Sequence, residues 1–222
     1  MRRADLVLIL PMLAVAAGGT SGCAMTWNGA AAEGRALADR VVGYTLGAVE
    51  RMGGPANFTE PPPVVLQAPA ELPYNCVAQA VGHLQRGGAA AALNLSAGGN
   101  PRPSPAHMII DNSPVGGQAI VDIADDGALK WNDEPVEEAQ LAQRIRGQQL
   151  SDLPGEAVVI PGAGASFGAV YRVVRAFDEA GVVPTLIGCG AAAQHREILS
   201  PVAIEGIARQ RETLAPPTPY RC

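Results

Sequence analysis

Leu129-Lys-Trp131-Asn132 is followed by Glu137, Leu141, Ala142, Arg144 and Ile145. Met25-Thr-Trp27-Asn28 is followed, at the same spacing, by Glu33, Leu37, Ala38, Arg40 and Val41. Further along, Val64-Val65-Leu66 aligns with Val158-Val159-Ile160, and Tyr74, Val77, Val81, Leu84 and Gly88 align with Phe167, Val170, Val174, Phe177 and Gly181. The order and nearly all the spacings repeat, with ten extra residues in the first copy between Trp27 and Val64, so the chain reads as a tandem duplication of one small unit, and fold and function are to be read per unit.

The second copy carries the clearer signals. Residues 118–124 are β-rich, Asp125-Asp126-Gly127 is a hairpin turn signal, and 128–132 reads as the return strand. Asn132-Asp133 then turns into an expected helix from Pro135 to Gln149, with Val136, Ala139, Ala142 and Ile145 on one face. Ala157–Ile160 reads as a buried strand. Ser166 is an N-cap signal for a helix to Ala180, with Phe167, Val170, Tyr171, Val174 and Phe177 as its apolar stripe. Gly181 ends that helix, and Val182–Ile187 is a strand. The first copy predicts helices near 30–50 and 73–86 and strands at 64–68 and 90–96. The fold class expected is α+β: two tandem β-hairpin-α-β-α-β units, each a mixed sheet with two helices on one face.

The N-terminus is Met1-Arg-Arg followed by an apolar run from Leu6 to Ala17 and small residues up to Cys23. That is the layout of an export signal. As a helix, the run would reach about 18 Å, short of the roughly 30 Å hydrocarbon core. Residues 1–22 are therefore expected to be a signal peptide or short membrane anchor. Thr20-Ser21-Gly22-Cys23 resembles a loose lipobox, making Cys23 a candidate lipidation site; an ordinary signal peptide cut nearby is the competing reading. If the leader is cleaved, the first copy loses its first hairpin strand, and Ala106–Asn112 is a strand that would replace it. The units are expected at 23–97 and 118–190, joined by a Pro-rich linker with an extra strand at 98–117. A weakly helical tail follows at 191–222.

Hydrophobic residues make up 48% of the chain and charged residues 17%, a globular balance. A net charge of -5 argues against nucleic acid or an anionic membrane surface as partner. Export permits disulfides, and Cys189 and Cys222 form one candidate pair, with reduced buried cysteines as the alternative. Cys76 aligns with Ala169 on a helix face, which indicates packing. His83, His107 and His195 stand alone, so no metal site is expected. Gly162-Ala-Gly164-Ala-Ser-Phe-Gly168 lies between strand and helix, but its spacing misses the dinucleotide fingerprint, and a structural turn is the expectation. Asp122, Asp125 and Asp126 read as solvated turn carboxylates. Trp27 and Trp131 are candidates for an interaction surface or for core packing, in a chain with only 4% aromatics.

The second copy resembles the periplasmic domain of the ExbD/TolR family of biopolymer-transport proteins. The matching stretches are Val121-Asp-Ile-Ala-Asp-Asp-Gly127, Leu129-Lys-Trp131-Asn132-Asp133-Glu-Pro135-Val136, Leu141-Ala-Gln-Arg144, and Phe167-Gly-Ala-Val170 through Ala180-Gly181-Val182. The first copy matches more weakly. Family members have one such domain after a transmembrane helix that carries a proton-relay aspartate. Here only Asp5 lies beside the apolar run, so that role does not carry over. Members act as dimers, and a tandem copy implies a single-chain pseudo-dimer. The resemblance implies a non-enzymatic, exported envelope protein without cofactor. It would be an energy-transduction accessory or a periplasmic binding module. Its partners would be an inner-membrane proton motor, a TonB-like protein or peptidoglycan. The alternatives are a secreted thiol- or nucleotide-dependent enzyme and a purely structural envelope lipoprotein.

Overall fold

The computed structural model describes residues 11–18, 23–32, 34–54, 64–86, 92–98, 102–109, 115–148, 150, 156–187 and 196–198. The protein is α+β, with four helices and a large mixed sheet among the described residues. The first half contains β1 (Met12–Ala17), β2 (Cys23–Trp27), β3 (Ala30–Ala31), α1 (Gly34–Arg51), β4 (Val64–Ala68), α2 (Tyr74–Arg86) and β5 (Ala92–Ala97). Then come β6 (Ser104–Ile109) and β7 (Val115–Gly117). The second half contains β8 (Ala119–Ile123), β9 (Leu129–Trp131), β10 (Glu134–Val136), α3 (Glu138–Gly147), β11 (Ala157–Pro161), α4 (Phe167–Glu179) and β12 (Thr185–Ile187). A last strand, β13 (Arg196–Ile198), pairs with β7 in a separate two-stranded sheet.

Among the described residues eleven strands form one sheet in the order β10-β9-β8-β11-β12-β6-β5-β4-β1-β2-β3. Read inward from either end, the two halves repeat one arrangement: two short outer strands, then the strand that opens the half, then its two parallel crossover strands. β6 lies between the halves, antiparallel to β5 and parallel to β12.

Alternating burial along β2 and β4 marks one covered face and one open face. The helices pack side by side as α1-α2-α4-α3. Val77, Val81 and Leu84 of α2 and Val170, Val174 and Phe177 of α4 are all fully buried, as their helical spacing predicts. One hydrophobic cluster runs from Leu13 through α2 and α4 to Leu186, so both halves share a core. β11 is buried at every position, and Ile120, Val158, Ile160 and Ile187 form a second cluster on the other face of the sheet.

Several expectations are corrected. The expected helix from Pro135 starts late: Pro135 lies in edge strand β10, where a missing N–H is tolerated, and α3 begins at Glu138. Glu137 caps that helix in a reciprocal capping box with Gln140. The alignment of Val64 with Val158 is off by one residue. β1 and β4 pair Leu13 with Leu66, whereas β8 and β11 pair Val121 with Val159, so Val65 stands where Val158 does. In a strand that single step exchanges the two faces.

Residues 12–17, expected inside the leader, are β1, with Leu13 and Val15 buried and β2 and β4 on either side. A boundary at residue 22 would remove this strand. Its place in the sheet is filled, so no replacement strand is needed, and β6 sits in the sheet interior. Arg196–Ile198 is a strand where a helical tail was expected.

Candidate functional site

The repeated Trp-Asn pair builds a hairpin corner in each half. Asn28 and Gly29 have φ of 50° and 80°, and Asn132 and Asp133 have 48° and 74°. Positive φ at both central residues is the two-residue hairpin turn that fits strand twist, and Asn tolerates it better than most residues. Each Asn also grips the neighbouring strand. Asn28 N–H donates to the Met12 carbonyl (2.8 Å), and Met12 N–H donates to Asn28 Oδ1 (2.9 Å). Asn132 makes the same two bonds with Ile120, both 2.8 Å, and its Nδ2 donates to the Gln118 carbonyl.

Trp27 and Trp131 face inward from these corners. Trp27 is 7% exposed and meets Tyr44 edge-on at 5.8 Å. Trp131 is 4% exposed and stacks on Phe177 at 6.3 Å. Their candidacy as an interaction surface is corrected: both rings are in the core. Burial raises the Tyr44 phenol above its ordinary pKa, and the Arg51 guanidinium partly offsets this.

The Gly-rich loop after β11 has a structural occupant. Gly164 N–H donates to Asp125 Oδ1 at 2.8 Å, from the β8–β9 turn. A Cβ at Gly162 would collide with the Asp125 carboxylate, and one at Gly164 would come within 3.0 Å of its Cγ. These glycines leave room for a carboxylate where a phosphate-binding loop would hold its anion.

Beside this fastening lies an open groove of about 410 Å³, lined by Asp122, Ile123, Leu129, Lys130, Pro135 and Ile160. Asp122 and Lys130 are cross-strand neighbours on its rim. The first half has a groove in the corresponding place, about 450 Å³, lined by Ala14, Val15, Ala16, Gln67, Pro69 and Glu71. There the corresponding cross-strand pair is Ala14 and Thr26. The two grooves thus share a position but not a polarity. Each suits an apolar side chain; the first is lined by one carboxylate, Glu71, and the second by Asp122 together with the Lys130 ammonium.

Cys23 and Cys76 are joined by a disulfide, with Cα atoms 5.5 Å apart. The expected lipidation of Cys23 is corrected on this geometry, because its sulfur is already bonded and cannot also carry a thioether. The same bond occupies the Cys76 sulfur that a thiol enzyme would use. The candidate pair Cys189 and Cys222 lies outside the described residues, as does His195. His83 is on α2 and His107 on β6. Among the described residues no three His, Cys, Asp or Glu side chains group to hold a metal.

The halves meet through the loops that lead into α2 and α4, and the contacts are reciprocal. Tyr74 N–H donates to the Ala165 carbonyl (2.8 Å), and Phe167 N–H donates to the Leu72 carbonyl (2.7 Å). Asn75 N–H donates to the Ala163 carbonyl (3.1 Å), and Gly168 N–H donates to the Ala70 carbonyl (2.7 Å). Each bond from one loop is returned by the matching residue of the other. A Cβ on Gly168 would meet Ala70 Cβ at 2.9 Å, so this junction requires glycine there. Tyr74 Oη extends the contact by donating to the buried Ile187 carbonyl at 3.2 Å.

The Trp-Asn repeat singled out both corners but not what Asn does in them. Asp125 was visible only as a turn residue, because its partner Gly164 is remote in sequence. No family model, curated protein or solved structure matches this chain.

Proposed function

We propose that this chain is a non-enzymatic binding or scaffold module of the bacterial envelope. In this reading it is a single-chain pseudo-dimer of two tandem ExbD/TolR-like units. The observation that carries the reading is the reciprocal junction, in which Tyr74 and Asn75 make toward Ala165 and Ala163 the bonds that Phe167 and Gly168 make toward Leu72 and Ala70. Such self-complementary contact is how a two-fold dimer interface is built, here within one chain.

The Cys23–Cys76 disulfide supports an exported location, since such bonds persist in oxidising compartments. Export rests on that bond rather than on residues 12–17, which the sheet uses. The enzyme alternative is weakened by the bonded Cys76 sulfur and by Asp125 in the Gly-rich loop. Val42, Leu46 and Met52 are exposed apolar residues on and just beyond α1, with Leu46 at 58%, and they favour contact with another protein. The partners proposed are an inner-membrane proton motor, a TonB-like protein or peptidoglycan.

A photo-crosslinking residue at Leu46 or Lys130, in the full chain in its own bacterium, tests this. Crosslinks to an envelope motor protein, a TonB-like protein or peptidoglycan fragments are expected. Crosslinks confined to cytoplasmic enzymes or nucleotides would refute it.

A further inference from the structure

Each hairpin is fastened at its loop end to its own half, and the two fastenings are chemically different. In the second half the fastening is the Asp125 carboxylate held by Gly164 N–H. In the first half it is covalent. Cys23 opens β2 opposite Ala17, Cys76 lies in the first turn of α2, and their disulfide ties hairpin to helix. Neither half has the other's device. Ala169 stands on α4 where Cys76 stands on α2, and the first half's β4–α2 loop reads Pro69-Ala-Glu71 where the second has Gly162-Ala-Gly164.

We propose that the Cys23–Cys76 disulfide is a redox-sensitive clasp on the first hairpin, and that the second hairpin, fastened by Asp125, does not respond to reductant. The comparison of the two fastenings rests on the two-unit reading given above. In the opening step a dithiol thiolate attacks one sulfur of the Cys23–Cys76 bond and forms a mixed disulfide. The second thiol of the reagent then displaces the protein sulfur and closes a cyclic disulfide. The reagent is oxidised by two electrons, and Cys23 and Cys76 are left as two thiols, each with a proton.

Both cysteines are nearly buried, 3% and 4% exposed, so attack follows local opening of the hairpin. Once reduced, β1 keeps its pairing with β2 and β4, and the Asn28 corner stays, but the hairpin loses its covalent tie to α2. Leu13, Val15 and Trp27 lie on that hairpin and are buried while the clasp is closed.

Hydrogen exchange on the full chain, with and without dithiothreitol, tests the clasp, and alkylation reports the thiol state. Reduction is expected to speed exchange across residues 12–27 by roughly tenfold or more, while 119–131 stays as it was. Cys76→Ala, which copies Ala169, should reproduce this without reductant and should not respond to it. A Trp131→Phe variant leaves Trp27 as the reporter, and its emission should move to longer wavelength on reduction. In a Trp27→Phe variant, Trp131 emission should not move.

Unchanged exchange at 12–27 after alkylation proves both thiols free would overturn the proposal. So would equal acceleration of both hairpins, or complete alkylation of Cys23 and Cys76 in the chain never exposed to reductant. In the oxidised chain, Asp125→Ala should loosen 119–131 and spare 12–27. Failure of that arm alone would count against the two-unit reading and leave the reducible clasp standing.

Discussion

Replacing Asn132 by Ala should cost about 2–5 kcal/mol, and two separate losses make up that figure. The first is conformational. At φ of 48° an alanine Cβ crowds the backbone, a penalty of about 1–2 kcal/mol. The second is bonding. Ile120 is 1% exposed, and its N–H loses the Oδ1 acceptor at 2.8 Å, a half-buried donor left unpaired at about 1–3 kcal/mol. Asn132→Gly separates the two, since glycine adopts the turn freely and leaves only the bonding loss. The corresponding Asn28→Ala should cost less, about 1–2 kcal/mol, because Met12 is 37% exposed and water can replace the lost acceptor. Urea unfolding followed by circular dichroism measures all three, with an unchanged m-value as the check that only stability moved. The reasoning fails if Asn28→Ala costs as much as Asn132→Ala. It fails equally if Asn132→Gly is no milder than Asn132→Ala.

Phe177 is fully buried and stacks on Trp131, so Phe177→Ala should cost about 3–5 kcal/mol in the same unfolding assay; a loss under about 1 kcal/mol would mean the α4 face is wrongly assigned. Gly168→Ala pushes a Cβ against Ala70 at the junction and should cost about 1–3 kcal/mol, whereas Gly43→Ala, at a helical site where an added Cβ meets nothing within 4 Å, should be neutral or stabilising. Tyr44 has a raised folded-state pKa, so its contribution is present below the ordinary value of 10.0 and is lost as pH climbs through the folded value; Tyr44→Phe should flatten the alkaline fall in stability, and an unchanged slope would refute the assignment.

The parts of this fold legible in sequence are those fixed by local spacing. The stripe from Phe167 to Phe177 specified α4, and the repeat of Trp-Asn marked two hairpin corners. Some local signals carry two readings. Pro135 suits both a helix start and an edge strand, and only the left-handed pair Asn132-Asp133 decides for the strand. The apolar run ending at Ala17 suits both an export leader and a buried strand, because a strand flanked on both sides by others needs little polarity. The slip between Val64 and Val158 arose because consecutive valines look alike until pairing assigns each a face. The Cys23–Cys76 bond and the Asp125–Gly164 contact were not legible at all. Both join segments far apart in sequence, and no local pattern encodes that distance.

The placement of β6 follows from the same geometry that supports the two-unit reading. A two-fold axis normal to the sheet reverses strand direction, so matching strands β5 and β12 must run opposite ways. Any single strand inserted between them is then antiparallel to one and parallel to the other. β6 has that mixed pairing, with Leu93 opposite Ala106 antiparallel and Leu186 beside Met108 parallel. A true dimer of separate chains cannot place one such strand on its axis without breaking symmetry, whereas a fused pair can. The segment between the two halves thereby becomes part of the sheet. It closes two edges that would otherwise face each other unpaired. Among the described residues the sheet ends in the two-residue β3 and the proline-bearing β10, both poor templates for further pairing. The α1 outer face and the two grooves are the surfaces open to a partner, and the grooves differ between the halves.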